Sequence, residues 1–297
     1  MRLLLFGRSG QIGAALARVL GPNHRLVALG RDEADFAYPD TLADFVRKER
    51  PDVIINAVAY TSVDRAESEP ELARLINTES PAALAQAAAE TGAWLVHYST
   101  DYVFDGDKEG AYAESDATNP LNHYGRTKRD GDLAVGAAGG PHLILRTSWV
   151  HAPGHANFVA TILGLAAKRK TLGVVDDQIG APTSARLVAT VTASLIDAIA
   201  AAMPPQVGIY HLAARGETSW CGYASFIVAS ALEQGARLEL RPEHIQPIPS
   251  AGYPQPARRP LNSRLSTKKL EALGVQLPDW RDDVRDTIRL SLPEAVQ

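Results

Sequence analysis

The run Leu3-Leu4-Leu5-Phe6-Gly7-Arg8-Ser9-Gly10-Gln11-Ile12-Gly13 decides the fold. Consecutive apolar residues closed by a glycine read as a strand buried on both faces of a parallel sheet. Ile12, Leu16, Val19 and Leu20 then recur at helical spacing, so the three glycines occupy a strand-to-helix turn. Glycine there permits a tight turn, and the missing side chains let a pyrophosphate approach the helix amino terminus and its positive dipole end. The spacing is G-x-x-G-x-x-G rather than G-x-G-x-x-G, and taken alone it also fits a glycine-rich turn that binds nothing.

The same rhythm continues downstream. Leu26 to Leu29 reads as a second strand, Thr41 to Glu49 as a helix, and Val53 to Val58 as a third strand. Glu71 to Thr91 is alanine-rich and helix-forming, but Pro81 interrupts it, which means either a kinked helix or two helices meeting there. Trp94 to Tyr98 is the next strand, ending at Ser99-Thr100, and His142 to Arg146 another. Strands alternating with helices indicate an α/β fold with a doubly wound parallel sheet. After about Trp149 polar loops appear (His151 to Asn157, Gly173 to Thr183), then a Pro-rich stretch from Arg241 to Pro260. A β-like segment at Val207 to Leu212 and an apolar helix at Tyr223 to Leu232 interrupt them. This predicts a nucleotide-binding domain over 1–148 and a smaller, substrate-binding domain over 149–297, with the chain free to cross back.

Composition narrows the function classes. The chain has 297 residues, 45% hydrophobic and 22% charged, which is ordinary for a globular protein able to bury a large core. A net charge of −4 argues against a dedicated nucleic-acid binder. The one cysteine, Cys221, rules out an internal disulfide and suits a reducing compartment. No apolar run approaches the roughly 20 residues of a membrane helix, and no signal peptide is visible, so a cytoplasmic location is expected.

Chemistry concentrates in Asn122-His123-Tyr124-Gly125-Arg126-Thr127-Lys128. Tyr124 and Lys128, four residues apart on a helix, share one face, so an ammonium can sit beside a phenol and make it a proton donor or acceptor near neutral pH. Thr100 closes a strand at its carboxyl end, where ligands bind in open α/β sheets, and its hydroxyl can bond a substrate carbonyl that Tyr124 protonates. Together with the glycine turn this reads as hydride transfer to or from a carbonyl. Arg8 in the turn and Arg31 after the second strand suit a ribose 2′-phosphate, which points to NADPH while leaving NADH possible. Asp101, Asp105 and Asp107 crowd one loop without His or Cys companions, so no metal site is expected there.

These residues resemble the extended short-chain dehydrogenase/reductase family, and within it the reductases of dTDP-linked 4-keto sugars. The markers run along nearly the whole chain: residues 5–13, Asn56 to Asp64, and Ser99-Thr-Asp-Tyr-Val-Phe-Asp-Gly106. Pro120 to Lys128, Leu145 to Trp149, Val174 to Thr183 and Ala257 to Ser263 complete them. The resemblance implies a Rossmann-like fold in which NADPH delivers hydride to C4 of dTDP-4-dehydro-β-L-rhamnose, the last step of dTDP-L-rhamnose synthesis. It implies Thr100, Tyr124 and Lys128 as the catalytic set, with Tyr124 an acid that begins protonated. It implies Gly7, Arg8, Ser9, Gly10, Gln11, Ile12, Gly13, Arg31, Asn56, Ala57 and Ala59, with Tyr124 and Lys128, at the cofactor. Thr100, Val103, Phe104, Tyr124, Trp149, Asn157, Gln178 and Arg258 are implied at the dTDP-sugar. Some family members dimerise through magnesium held by glutamates, and two of the positions concerned are here Ala15 and Arg186. Neither supplies a carboxylate, so a monomer or a metal-independent homodimer is expected.

Two rivals fit the same fold. A catalytically silent, NADP-binding regulatory subunit would not need Thr100, Tyr124 and Lys128 intact. A sugar-nucleotide epimerase or dehydratase would recycle its nicotinamide; Asp101 beside Thr100 is reminiscent of a dehydratase, but the Asp-Tyr-Val-Phe continuation favours the reductase branch.

Overall fold

The computed structural model describes residues 1–292; residues 293–297, the end of the expected second domain, lie outside the described residues. The chain opens with β1 (Arg2–Phe6), α1 (Gln11–Leu20), β2 (Arg25–Leu29), α2 (Leu42–Glu49) and β3 (Val53–Asn56). Helices α3 (Val63–Ser68), α4 (Pro70–Arg74) and α5 (Ser80–Thr91) lead to β4 (Trp94–Thr100), α6 (His123–Ala137) and β5 (His142–Thr147). Then come β6 (Val150–His151), α7 (Phe158–Ala166), β7 (Leu172–Val175), β8 (Ile179–Gly180), β9 (Thr183–Ser184) and α8 (Ala185–Ala200). The last elements are β10 (Gly208–His211), β11 (Thr218–Ser219), α9 (Trp220–Glu233), β12 (Ile245–Ile248), α10 (Lys268–Glu271) and α11 (Trp280–Ser291).

Six strands form one sheet in the order β10-β5-β4-β3-β1-β2, and every pairing in it is parallel. The order reverses between β1 and β3, so a crevice opens outside the carboxyl ends of these strands, where ligands of open α/β sheets bind. Alternate residues feed two cores. Leu3, Leu5, Val53, Ile55, Val96, Leu143 and Leu145 pack with α1 and α8, whereas Leu4, Phe6, Ile54, Leu95 and Ile144 pack with α2 and α5. This double burial is why the strands read as continuous apolar runs.

The structure refines three expectations. The third strand stops at Asn56, because the Asn56 side chain turns back to accept from the Val58 N–H at 3.1 Å and ends the ladder. The proline in the alanine-rich stretch neither breaks nor separates the helices. A wider, π-helical turn over Leu75–Glu79 joins α4 to α5, and Pro81 falls in the first turn of α5, where its missing N–H costs nothing. That turn also bares the Asn77 carbonyl to α6: a Cβ on Gly131 would lie 2.1 Å from the Asn77 oxygen. Finally, the chain does cross back. After α8 has packed beside α1, β10 adds in parallel to β5 as the sheet's edge. The expected loops at 151–157 and 173–183 and the Pro-rich stretch carry short strands, which pair as β6 with β9, β7 with β12 and β8 with β11.

Candidate active site

Strand β4 delivers Thr100 to the crevice, and the following turn fixes its hydroxyl. The Tyr102 N–H donates to Thr100 Oγ1 at 3.2 Å, and Thr100 Oγ1 donates to Asp101 Oδ1 at 3.0 Å. Helix α6 begins beside this turn because Asn122 caps it: Oδ1 accepts from the Gly125 N–H at 2.8 Å. Gly125 allows the close approach, since a Cβ there would lie 2.2 Å from the Tyr102 carbonyl oxygen. Tyr124 is thereby set next to Thr100, its ring edge-on to Tyr102 with centroids 5.7 Å apart. The other end of the Asn122 amide donates to the Arg258 carbonyl at 2.8 Å, tying the 257–259 segment to the start of the catalytic helix. Asp64 secures the same segment through the Ala257 N–H at 3.1 Å and Arg259 at 2.8 Å.

Lys128, one turn along, is 1% exposed. Its Nζ donates to the Tyr98 carbonyl at 2.6 Å and lies 3.4 Å from His97 Nε2. Asn56 Nδ2 contacts His97 Nδ1 at 3.1 Å, so β3, β4 and α6 are joined by a buried file of polar groups. Burial pushes Lys128 down to about 8, opposed by the carboxylate of Asp132. Burial, then the charge of Lys128, holds His97 well below its usual value and hence neutral. Burial also raises the Tyr124 phenol, with its contact to the Thr100 hydroxyl pulling the other way. Lys128 is turned to the Tyr98 carbonyl, and Tyr124 is firmly protonated, as a proton donor must be.

The nucleotide turn is equally determined. Gly7 has φ +91, and a Cβ on it would meet the Ala57 backbone at 2.9 Å; one on Gly13 would lie 1.9 Å from the Gly7 carbonyl oxygen. Gly10 caps α1 without a side-chain partner, and no acidic residue stands in the first turn. The N–H groups beyond Ser9, on Gln11, Ile12 and Gly13, thus form an anion site that fits a pyrophosphate. Gln11 also takes part in the scaffold, accepting from Asn157 at 3.0 Å. Arg8 bonds the Ala28 carbonyl at 3.1 Å and pairs with Glu33 at 2.7 Å, while the exposed Arg31 pairs with Asp35 at 3.6 Å. Ala57 backs Gly7, with Ala59 half-buried just beyond it.

The residues expected at the sugar nucleotide divide. Arg258 is exposed beside the catalytic helix. Trp149 has a left-handed backbone, φ 48, and its indole stacks on Trp220 at 3.6 Å and covers Gly180. The side chains of Val103 and Phe104 are buried in a core with Tyr112, Ala181, Ala213 and Leu265, which leaves their backbone to face the site. Gln178 bridges Ser250 at 2.8 Å and Trp220 at 3.2 Å. Asn157 caps α7 and donates to Gln11 and Ala152, which leaves its amide little capacity for a sugar.

Several residues that hold this site were not singled out from the sequence. Asn77 is one: Oδ1 accepts from the Tyr60 N–H at 2.8 Å, and Nδ2 donates to the Tyr60 carbonyl and to Thr127 Oγ1, both at 3.1 Å. It clips the segment after β3 to the catalytic helix. His97 and Arg146 are others, polar residues inside otherwise apolar strands, which is the one signal the sequence offers for them. Arg186, where family members can place a magnesium ligand, pairs with Asp283 at 2.5 Å and Asp286 at 2.9 Å. Among the described residues no group of three or more His, Cys, Asp and Glu side chains is arranged to hold a metal.

Thr100, at the carboxyl end of β4, and Tyr124 and Lys128 of α6 stand together beside the switch point of a parallel sheet: fold and site are those of an extended short-chain dehydrogenase/reductase. Comparison with known proteins narrows this. The family described as "RmlD substrate binding domain" matches residues 1–292, and the chain belongs to that family. It is 48% identical over 290 residues to the dTDP-4-dehydrorhamnose reductase of Salmonella typhimurium, covering 96% of each protein. Among solved structures, a dTDP-4-dehydrorhamnose reductase from Clostridium acetobutylicum superposes with a TM-score of 0.90 at 32% identity, covering 98% of this chain and 99% of that one. The Bacillus anthracis dTDP-4-dehydrorhamnose reductase, solved in complex with NADP, gives 0.88 at 31% identity, covering 96% and 98%.

Proposed function

We infer that this chain is a dTDP-4-dehydrorhamnose reductase, reducing the C4 keto group of dTDP-4-dehydro-β-L-rhamnose to dTDP-β-L-rhamnose. The observation that carries the reading is the buried, protonated Tyr124 beside Thr100 at the carboxyl end of β4, in a chain 48% identical to a reductase of that name. When bound, the reduced nicotinamide supplies the hydride that makes the new C–H bond at C4. Tyr124 gives its phenolic proton to the C4 oxygen as negative charge develops there, and water restores it afterwards. Thr100 bonds the same oxygen and fixes the carbonyl. Lys128 holds the nicotinamide ribose and, as a cation, eases loss of the Tyr124 proton. The first-turn N–H groups after Gly10 hold the pyrophosphate, backed by Gly7, Gly13 and Ala57.

Residues 1–148 form mainly the dinucleotide half and 149–297 mainly the sugar-nucleotide half, with β10 returned to the first. Arg8 and Arg31 favour NADPH, while Asp32 and Glu33 beside them leave NADH usable. Trp149 packs against the sugar, and Arg258 meets the sugar nucleotide. With Ala15 and Arg186 at the two interface positions, the enzyme is a monomer or a dimer that needs no metal. No helix of the described residues is long and apolar enough to cross a membrane, in keeping with a cytoplasmic enzyme.

The test is NADPH oxidation with enzymatically made dTDP-4-dehydro-β-L-rhamnose. One NADPH should be consumed per sugar reduced; no stoichiometric oxidation sinks the reading. Tyr124→Phe should bind NADPH normally and lose about 10²–10⁴-fold in kcat, the usual worth of a positioned acid. If that variant kept full turnover, the proton donor would lie elsewhere.

A further inference from the structure

A hydroxyl has one proton and two acceptor sites, and at Thr100 the structure accounts for nearly all of them. The Tyr102 N–H takes one acceptor site at 3.2 Å, and the proton goes to Asp101 Oδ1 at 3.0 Å. Bonded in this way, Thr100 faces the substrate only as an acceptor, and a carbonyl oxygen is an acceptor too. The hydroxyl can donate to the carbonyl and still keep its bond to the buried carboxyl only if Asp101 donates to it instead of accepting. A carboxylic acid does that and a carboxylate does not.

We propose that Asp101 is a positioning residue acting through Thr100: in its protonated form it donates to Thr100 Oγ1 and releases the hydroxyl proton towards the substrate carbonyl. The surroundings favour that form. Asp101 is 3% exposed, and among the described residues its Oδ2 has no hydrogen-bond partner. The groups that face it are neutral: Thr100 and the Tyr102 N–H from its own turn and Ser263 from the 257–265 segment, with Tyr124 of α6 alongside. Arg259, whose charge reaches Tyr102, is bonded to Asp64 at 2.8 Å. Burial accordingly pushes the Asp101 carboxyl up to about 6, against the weaker pull of Ser263 and Thr100. A substrate seated over Thr100 removes more water and moves it in the same direction.

The inference rests on the reductase reading above, and the experiment separates the two. NADPH oxidation with the dTDP-4-keto sugar is followed against pH for the native enzyme, D101N, T100V and T100V/D101N, with NADPH affinity measured by fluorescence as a check on folding. The native kcat should fall with rising pH in two limbs, an upper one from Lys128 and a lower one from Asp101, and D101N should lack the lower limb because its side chain stays neutral at every pH. T100V should lack the lower limb as well, and adding D101N to it should change kcat less than about twofold, the non-additivity of residues acting in series. A lower limb that persists in D101N, or effects that multiply in the double variant, overturns the inference and leaves the reductase intact. A native enzyme that oxidises no NADPH overturns both.

Discussion

Replacing Arg146 by methionine should destabilise the protein far more at alkaline than at acid pH. Arg146 Nε donates to Asp132 Oδ2 at 3.0 Å, with the side chains 4% and 2% exposed. Methionine keeps the apolar contact with the Phe104 ring, over which the guanidinium carbon sits at 5.3 Å, but strands the carboxylate. Removing one partner of a buried pair costs about 3–5 kcal/mol, because the remaining charge is left uncompensated. At roughly 2 °C per kcal/mol for a chain of this length, Tm should fall about 6–10 °C. The sign with pH follows from Asp132 itself. Burial already raises its carboxyl, with Arg146 and then Lys128 pulling it down, so losing Arg146 raises it further. A carboxyl raised in the fold contributes stability that is complete below its unfolded value and lost as pH rises through the folded one. The loss should therefore be larger at pH 8 than at pH 5, since a raised carboxyl is the more easily protonated as pH falls. Thermal unfolding of R146M at both pH values, beside D132N/R146M, reads this out. The double variant should recover most of the loss, since it leaves no carboxylate stranded. A loss under about 1 kcal/mol, or one equal at both pH values, would refute the assignment of a buried ion pair next to Lys128.

Gly13→Ala should weaken NADPH at least about tenfold in a fluorescence titration, because its Cβ would lie 1.9 Å from a backbone oxygen that cannot move without reshaping the turn. Native-like affinity would mean the turn is not the pyrophosphate cradle. Asn77→Ala deletes three hydrogen bonds and leaves the Tyr60 N–H without its acceptor, so it should cost about 2–3 kcal/mol in urea denaturation. An unchanged midpoint would show that the amide clip does not hold α6.

The main sheet was legible because its strands obey a local rule. Leu3–Phe6 and Val53–Ile55 are apolar throughout since both faces are covered, and glycine or an amide ends each run. Helix α2 and the shared face of Tyr124 and Lys128 on α6 followed from spacing. The π-helical turn before Pro81 was not, because a proline only forbids a bond and does not say which neighbouring turn absorbs the change. Nor were β6, β8, β9 and β11, two residues each and too short for any period to show.

The site divides along the same line. Thr100, Tyr124 and Lys128 could be named because each stands where a local signal places it, at a strand end or on one helical face. Their electrostatics could not, because the deciding partners are remote in sequence. Asn56 meets His97 from 41 residues away and Asn77 meets Thr127 from 50, both through neighbours created by the sheet order. A histidine in Trp94–Thr100 or an arginine in His142–Thr147 announces that some partner must exist, since an unpaired polar group so placed would cost several kcal/mol. It cannot announce whether that partner is a carboxylate, an amide or a lysine. That difference separates a phenol lowered by an adjacent ammonium from the one found, kept protonated by burial while Lys128 is tied to Tyr98. The electrostatics around Tyr124 are thus a property of the packed site, written in residues that no motif contains.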